Sequence, residues 1–154
     1  MMITRRRFLL SASAAALAIA AGWWPSLAGD KAAIPVLLYK SPGCECCDGY
    51  ATYLGQHGFK VTVKEASDLA AISGKAGIPA DLQGCHTAFI GDYVIEGHLP
   101  VEAVDKLLAE RPAVKGLTLP GMPPGSPGMN GTKEGPFTVY AIDGQGHKSA
   151  YMTL

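Results

Sequence analysis

Long apolar runs are missing from most of this 154-residue sequence: beyond residue 28, none approaches the 18 or so residues of a membrane-spanning helix. No cluster of lysine and arginine is present there either, so the chain offers phosphate backbones little of the counterion release that drives nucleic-acid binding. Aromatic residues make up only 8% of the chain and charged residues only 17%, whereas 48% of the residues are apolar. This balance excludes an intrinsically disordered or collagen-like chain. We therefore expect a folded domain without a nucleic-acid partner.

The first 28 residues have the pattern of an export signal. Three arginines at positions 5–7 are the only charged residues of this segment, and an alanine-rich apolar stretch follows them. Ser26 and Ala28 provide the small residues of a signal-peptidase site, and the arginines followed by Phe-Leu resemble a twin-arginine signal, although they also suit the general secretory route. Cleavage after Ala28 leaves 126 residues with ten basic and thirteen acidic side chains, a net charge of −3. We expect a protein exported to an oxidising compartment, with no membrane segment after cleavage.

The apolar pattern of residues 34–111 predicts an alternation of strands and helices. Continuous apolar runs or strict alternation indicate strands, apolar residues at helical spacing indicate helices, and Gly58 is suited to end the first helix. The predicted elements are a strand at 34–39, a helix at 47–57, a strand at 59–64, a helix at 68–73 capped by Ser67, a hairpin at 87–96 and a helix at 100–111. The order β-α-β-α-β-β-α predicts a thioredoxin-like α/β fold with a mixed sheet.

The composition changes beyond Arg111. Six prolines and six glycines among the 25 residues 112–136 are too many for a helix or an interior strand, so this segment is predicted to be an extended loop. Residues 137–142 and 149–152 flank a glycine-containing turn and predict a C-terminal hairpin appended to the domain. The sequence thus predicts a single thioredoxin-like domain over residues 29–154.

Cysteine is scarce, and its four copies are close together. Cys44, Cys46 and Cys47 stand in a Cys-Glu-Cys-Cys motif at the predicted junction of the first strand with its helix, and Cys85 immediately precedes the hairpin. Cys44 and Cys47 have the C-x-x-C spacing, and a helix N-terminus stabilises thiolates. In a thioredoxin-like fold the residue before the hairpin faces this junction. We therefore expect all four sulfur atoms to converge at one end of the sheet.

Two ordinary disulfides are one explanation for these cysteines, but the spacing argues against it. Adjacent Cys46 and Cys47 have Cα atoms about 3.8 Å apart, which is shorter than a relaxed disulfide allows. A Cys44–Cys47 bridge closes too small a loop to restrict the unfolded chain much, so only a bridge from the motif to Cys85 would be a useful structural link. At about 3% of the mature chain, cysteine is also well below the share found in disulfide scaffolds.

Two functional uses of the cysteines stay open. Thiol–disulfide exchange through Cys44 and Cys47 is the first, but it leaves Cys46 and Cys85 without a role. A soft metal ion is the second, because Cu(I) selects cysteine and methionine sulfur and accepts two or three ligands. Zinc held by three cysteines and His86 is less favoured, since structural zinc sites prefer two separated ligand pairs, and adjacent cysteines fit poorly around an iron–sulfur cluster. From strand alternation we expect the ring of His86 to point away from Cys85.

Two methionines of the proline-rich loop, Met122 and Met129, are further candidate ligands. Thioethers bind Cu(I) and withstand an oxidising compartment better than thiols, although packing is the commoner role of methionine. His98, in the turn between the hairpin and the last helix, is placed to reach the cysteines as well. For His98 a metal ligand and a surface residue are both open interpretations, as a ligand and a packing residue are for each methionine.

Four motifs of this sequence together resemble the exported, CopG-type copper-resistance and metal-binding proteins, a family long catalogued as a domain of unknown function. The motifs are, in order, Cys44-Glu45-Cys46-Cys47, Gly84-Cys85-His86-Thr87-Ala88, Glu96-Gly97-His98-Leu99-Pro100 and the glycine-, proline- and methionine-rich residues 116–129. The resemblance covers residues 34–154. It implies a thioredoxin-like fold, copper as the ligand, a role in periplasmic copper tolerance and oxidoreductase character at a copper–thiolate site.

The resemblance and the residues together favour a periplasmic Cu(I)-binding protein that sequesters copper or exchanges it with periplasmic donor and acceptor proteins. The expected metal ligands are the four cysteines that match the family's set, with three further positions whose ligand role is open: Cys44, Cys46, Cys47 and Cys85, and then Met122, Met129 and His98. The alternative is a metal-free thiol–disulfide oxidoreductase in which Cys44 and Cys47 are the catalytic residues. A disulfide-stabilised binding module is a third hypothesis.

Overall fold

A computed structural model of the chain describes residues 33–154, and the export signal predicted at residues 1–28 lies outside them. Seven strands, three α-helices and one short 3₁₀ turn make up the described part. They are β1 (Ile34–Lys40), α1 (Glu45–Gln56), β2 (Phe59–Glu65), α2 (Leu69–Lys75), the 3₁₀ turn Ala80–Leu82, β3 (His86–Ile90), β4 (Tyr93–Glu96), α3 (Val101–Glu110), β5 (Gly116–Thr118), β6 (Thr138–Ile142) and β7 (Lys148–Thr153). Within residues 33–154, none of these helices has the length and apolar character needed to span a membrane.

All seven strands belong to one mixed sheet in the order β2-β1-β3-β4-β5-β6-β7. Strand β1 runs parallel to β2 and antiparallel to β3, and β3 pairs antiparallel with β4. The predicted order β-α-β-α-β-β-α is confirmed over the first seven elements, and so is the mixed α/β class. This arrangement is compatible with a thioredoxin-like core. As a consequence, the end of β1, the start of α1 and the start of β3 meet at one end of the sheet.

The main core lies between the sheet and helices α1 and α3. Leu38 of β1, Tyr50 and Leu54 of α1 and Val104 and Leu107 of α3 are all fully buried in it. The spacing of the buried helical residues by three or four positions turns one face of each helix toward the sheet. Burying a side chain of this size contributes roughly 1.5–3 kcal/mol each, so this packing fixes α1 firmly against β1 and β3.

The helix boundaries differ from the prediction by one or two residues, and two of these differences concern the residue that caps the start of a helix. Helix α1 begins at Glu45 rather than at residue 47, with Cys44 as its N-cap residue. Helix α2 is capped by Asp68, whose carboxylate accepts a hydrogen bond from the Ala71 backbone nitrogen at 3.0 Å, so the prediction of Ser67 as the cap was wrong. Both residue types are good caps, and the backbone path into the helix decides which of two neighbours is used. The predicted role of Gly58 in ending α1 is confirmed, since Gly58 follows the C-cap residue His57 and has a left-handed φ of 88°.

The loop predicted at residues 112–136 contains an interior strand, which corrects the prediction. Strand β5 lies between β4, with which it is parallel, and β6, with which it is antiparallel, and all three of its residues are buried. Only three residues long, it depends on pairing at both edges rather than on intrinsic propensity, so the surrounding glycines and prolines concealed it. Strand β5 joins the predicted C-terminal hairpin, observed as β6 and β7, to the main sheet.

Candidate metal centre

The segment between β1 and α1 places three cysteines at one end of the sheet. Strand β1 ends at Lys40, and the Ser41 backbone nitrogen donates to the carbonyl of Cys85 at 3.1 Å, which ties this segment to the start of β3. The Cys44 nitrogen donates to the Ser41 carbonyl at 3.2 Å in the turn that follows. Helix α1 then starts, so Cys46 and the fully buried Cys47 lie in its first turn, where unpaired backbone N–H groups favour negative charge.

A buried lysine fixes this turn, and the sequence analysis did not single it out. The Lys40 ammonium donates to the Asp48 carboxylate at 2.7 Å and to the Cys44 carbonyl at 3.4 Å. It also lies 3.7 Å from a carboxylate oxygen of Glu65 on β2. The hydrogen bond with Asp48, together with both nearby carboxylates and against the opposing effect of burial, raises the pKa of Lys40. Its charge thus links β1, β2 and the first turn of α1 around the cysteine motif.

The sulfur atoms of Cys44, Cys46, Cys47 and Cys85 all lie within 4.8 Å of one another. The Sγ atom of Cys46 is 3.4 Å from that of Cys44 and 3.8 Å from that of Cys85, and the Cys47 and Cys85 sulfurs are 3.2 Å apart. These are the atoms that the fold was expected to bring together. The four sulfurs therefore form one partly exposed cluster at the end of the sheet where β1 ends and β3 begins.

Two of the four sulfurs are joined. Cys44 and Cys47 form a disulfide, whereas Cys46 and Cys85 are free thiols. This corrects the sequence-based argument against a Cys44–Cys47 bridge, which considered only how much such a bridge would stabilise the fold. A disulfide within C-x-x-C at a helix N-terminus stabilises the fold little, because it closes a short loop. Cysteines at that position are instead typical of redox-active pairs, which alternate between the dithiol and the disulfide. The structure therefore presents the oxidised form of the site, with two thiols beside a disulfide.

Two buried histidines complete the cluster on the side of Cys85. The Nε2 atom of His98 lies 3.6 Å from the Cys85 sulfur, and the Nδ1 atom of His86 lies 3.9 Å from it. Neither ring is exposed, so the interpretation of His98 as a surface residue was wrong. The expectation that His86 points away from Cys85 was also wrong. Alternation holds only inside a strand, and β3 begins at His86, so Cys85 lies in the bend before it.

Each histidine has one ring nitrogen engaged by a backbone carbonyl. The Nδ1–H of His98 donates to the Pro127 carbonyl at 2.7 Å, and the Nε2–H of His86 donates to the Gly97 carbonyl at 3.1 Å. These bonds define the tautomers, so the other nitrogen of each ring presents a lone pair toward Cys85. Burial lowers the pKa of His86 to about 3, helped by the nearby His98, and burial likewise lowers the pKa of His98. Both rings are therefore neutral at neutral pH.

The thiol of Cys85 is protonated in the absence of a metal ion. Burial, followed by the neighbouring Cys46, raises the pKa of Cys85 to about 12. A cation that binds here must displace this proton, so its affinity will rise with pH. The Cys85 sulfur lies 3.6 Å from His98 Nε2, whose lone pair can accept a hydrogen bond from the S–H group.

The proline-rich loop packs on the first turn of α1. A Cβ atom on Gly128 would lie 2.5 Å from the Tyr50 nitrogen and 2.7 Å from the Cys46 carbonyl, so only glycine allows the loop to approach so closely. Met129 follows Gly128 directly and is half-buried. Met122 lies earlier in the loop, before Gly128, and has a left-handed φ of 44°. The loop thus passes beside the cysteine motif, and ligand roles for Met122 and Met129 stay predictions.

A buried carboxyl group close to the cysteines was missed by the sequence analysis. Glu96, at the end of β4, is fully buried and accepts hydrogen bonds from the Gly84 nitrogen at 2.6 Å and the Thr87 hydroxyl at 2.8 Å. The Thr87 hydroxyl is also 2.6 Å from that of Ser73 on α2. Burial raises the pKa of Glu96 to about 7, although both hydrogen bonds act in the opposite direction. The carboxyl group holds the Gly84–Cys85 segment in place against the hairpin.

Comparisons with known proteins place the chain in a family. Residues 82–129 match the family model described as "Protein of unknown function, DUF411". Two solved structures, "Copper resistance protein copG- Form 2" and "Form 1", are each 32% identical to this chain with a TM-score of 0.73. The match covers 79% of this chain and 98% and 97% of theirs, respectively, whereas no curated protein sequence matches. The predicted resemblance is confirmed, and the chain belongs to the CopG family of copper-resistance proteins.

Proposed function

We propose that this protein binds Cu(I) in the periplasm and thereby contributes to copper tolerance, with Cys44, Cys46, Cys47 and Cys85 as the ligands. The observation that carries the proposal is the convergence of four sulfur atoms within 4.8 Å of one another in a chain similar to copper-resistance proteins. Thiolate sulfur is the ligand type that selects Cu(I) over harder ions. A cluster of four allows two- or three-coordinate binding with spare sulfurs nearby.

Copper binding by all four cysteines requires reduction of the Cys44–Cys47 disulfide. Two electrons and two protons from a dithiol reductant convert this bond into two thiols, while the reductant becomes a disulfide. Cu(I) then displaces thiol protons as it binds. The spare sulfurs suit ligand exchange, because an incoming donor or acceptor protein can replace one thiolate at a time without releasing the ion. His98, Met122 and Met129 are proposed as peripheral ligands that support this exchange.

A second function has one specific observation in its favour. The disulfide joins Cys44 at the N-cap of α1 to the buried Cys47, and Cys44 is the more exposed of the two. An incoming thiolate would therefore attack Cys44 Sγ, form a mixed disulfide and release the Cys47 thiolate. This is the chemistry of a metal-free thiol–disulfide oxidoreductase. Its weakness is that it gives Cys46 and Cys85 no role.

Copper titration of the reduced protein separates the two functions. We expect the reduced protein to retain at least one equivalent of Cu(I) against a competing chromophoric chelator. Cys46→Ser removes one soft ligand and should weaken the affinity by about tenfold or more, which corresponds to about 1.4 kcal/mol or more of binding free energy. Ser149→Ala, at an exposed position of β7, is the matched control and should behave as the wild type.

The opposite pattern would support the oxidoreductase. In that case the protein would reduce a model disulfide without bound metal, Cys44→Ser would abolish this activity, and Cys46→Ser would leave it unchanged. Failure of the reduced protein to compete for Cu(I) at all would overturn the copper proposal.

A further inference from the structure

Two thiols remain beside the disulfide of the site, on Cys46 and Cys85. Cys46 lies in the first turn of α1 and Cys85 in the bend before β3, so the two residues are 39 positions apart in the sequence. Their sulfur atoms are nevertheless only 3.8 Å apart, and both residues are partly exposed to solvent. The site therefore contains a second pair of neighbouring cysteines that small molecules in solution can reach.

We propose that Cys46 and Cys85 form a second dithiol–disulfide couple, which exchanges two electrons with a low-molecular-weight disulfide or thiol. Cys44 and Cys47 form the first couple, so the fully reduced site supplies four electrons in two steps. The proposal concerns the cysteines alone and does not depend on copper binding. It also gives Cys46 and Cys85 a role that a single C-x-x-C couple does not give them.

The positions of the two sulfurs favour a bond between them. A disulfide has a sulfur–sulfur distance of about 2.05 Å, so a combined approach of about 1.8 Å, shared between two side chains, is sufficient. The hydrogen bond from the Ser41 nitrogen to the Cys85 carbonyl keeps the segment before α1 close to the start of β3. The Cys47 sulfur is closer to that of Cys85, at 3.2 Å, but it is already bonded to Cys44. Cys46 is therefore the free partner of Cys85.

The exchange with a small disulfide takes two steps. The Cys46 thiolate attacks one sulfur of the small disulfide, which forms a mixed disulfide on Cys46 and releases one small thiolate. The Cys85 thiolate then attacks the Cys46 sulfur and releases the second small thiolate, and the reverse order of attack gives the same product. Each released thiolate takes up the proton of one cysteine thiol. Two protein thiols thus become one disulfide, while one small disulfide becomes two thiols.

A Cys46–Cys85 disulfide would have a structural and a functional consequence. It would link α1 to the start of β3 across 39 positions, so it would restrict the unfolded chain more than the Cys44–Cys47 bond, which spans three. It would also remove the last two free thiols of the site. The fully oxidised protein would then have no thiolate left for Cu(I); this consequence, unlike the couple itself, rests on the proposed function.

A thiol count in glutathione buffers tests the proposal. The reduced protein is equilibrated at increasing ratios of oxidised to reduced glutathione, quenched by alkylation and analysed by mass spectrometry. We expect the number of alkylated thiols to fall from four to two and then to none, with neither bound glutathione nor covalent dimers at the end point. Two thiols that persist at every ratio, or two glutathione adducts in their place, would overturn the proposal.

Two double variants separate the couples. Cys44→Ser/Cys47→Ser keeps only the second couple, and we expect it to lose both thiols together as an internal disulfide that raises the urea midpoint of unfolding. Cys46→Ser/Cys85→Ser keeps only the first couple and is the matched control, in which oxidation should shift this midpoint much less.

Glutathione adducts in oxidised Cys44→Ser/Cys47→Ser would contradict the proposal, and the wild-type thiol count decides the matter even where a double variant does not fold. Cu(I) binding by the reduced wild type is measured separately. Its absence would contradict the copper proposal and leave the second couple in place, so each proposal can fail alone.

Discussion

At the scale of single residues, burial determines which protonation state each group near the cysteines adopts. His86 and Glu96 are both fully buried, and in both cases burial favours the neutral form. For the histidine this lowers the pKa, and for the carboxylic acid it raises the pKa. The two groups therefore affect the pH dependence of folding with opposite signs.

The signs follow from which state binds more protons. The pKa of Glu96 rises from 4.5 to about 7 on folding, so its contribution to stability is complete below about pH 4.5 and is lost as the pH rises through 7. The pKa of His86 falls from 6.5 to about 3, so its contribution is complete above about pH 6.5 and is lost as the pH falls. As the pH rises from about 4.5 to 6.5, the stability lost through Glu96 is nearly offset by the stability gained through His86, so the unfolding free energy of the wild type changes little.

We predict that Glu96→Gln removes this cancellation in the metal-free protein. Relative to the wild type, the variant should gain roughly 3 kcal/mol of unfolding free energy between pH 4.5 and pH 7.5, because only the wild type must ionise a buried carboxyl group as the pH rises. Urea denaturation at several pH values measures this difference. A difference that stays constant over this range would contradict the assignment of a raised pKa to Glu96.

The residues that could be predicted from the sequence were those whose position follows from a local motif. Cys44, Cys46 and Cys47 lie at a strand–helix junction, and Cys85 lies before a hairpin, so the fold alone brings their sulfurs together. Lys40 and Glu96 were missed because their partners are distant in the sequence and a single buried charge leaves no periodic signal. The orientation of His86 was mispredicted because alternation was extended one residue beyond the strand.

At the scale of elements, the proline-rich loop and helix α1 determine the shape of the site together. The loop contacts the first turn of α1 at Gly128, and the Pro127 carbonyl accepts the hydrogen bond that orients His98. Composition correctly identified most of this segment as irregular, but it missed strand β5 and carries no information on where a loop packs. The same limitation concealed β5, which is stabilised by its neighbouring strands.

We predict that Gly128→Ala displaces the loop from α1. The new Cβ would overlap the Tyr50 nitrogen and the Cys46 carbonyl, and φ is +80°. Gly121→Ala is the matched control, because Gly121 has a similar φ of +82° but nothing within 4 Å of the added carbon. Both substitutions place a side chain on a residue with left-handed φ, so both introduce the same backbone strain. Only Gly128→Ala also introduces overlap with α1, so it should lower the unfolding free energy by about 1–3 kcal/mol more than the control.

Chemical denaturation of the two variants measures this difference. Equal losses of unfolding free energy would show that the loop does not depend on close contact with α1. Loss of His98 orientation in Gly128→Ala alone, seen as a shifted imidazole resonance, would provide independent support.

At the scale of the whole molecule, the candidate metal ligands lie at one end of the sheet. Order and direction of the strands place the end of β1, the start of α1 and the start of β3 together, and the four sulfurs and two imidazoles of the site lie there. The order of the first seven elements was predictable because each carries its own apolar pattern. The oxidation state of the cysteines was not, since it depends on the surroundings as well as on the sequence.

The central claim is that Cys85 and the cysteines of the Cys44–Cys47 motif bind Cu(I) together at one site. Copper K-edge X-ray absorption tests this claim most directly. For the reduced, Cu(I)-loaded wild type we predict a first shell dominated by sulfur at the distances of two- or three-coordinate Cu(I). In Cys85→Ser we predict fewer sulfur neighbours and a weaker affinity. Identical spectra and affinities for Cys85→Ser and the wild type would show that Cys85 takes no part in binding copper and would contradict the account.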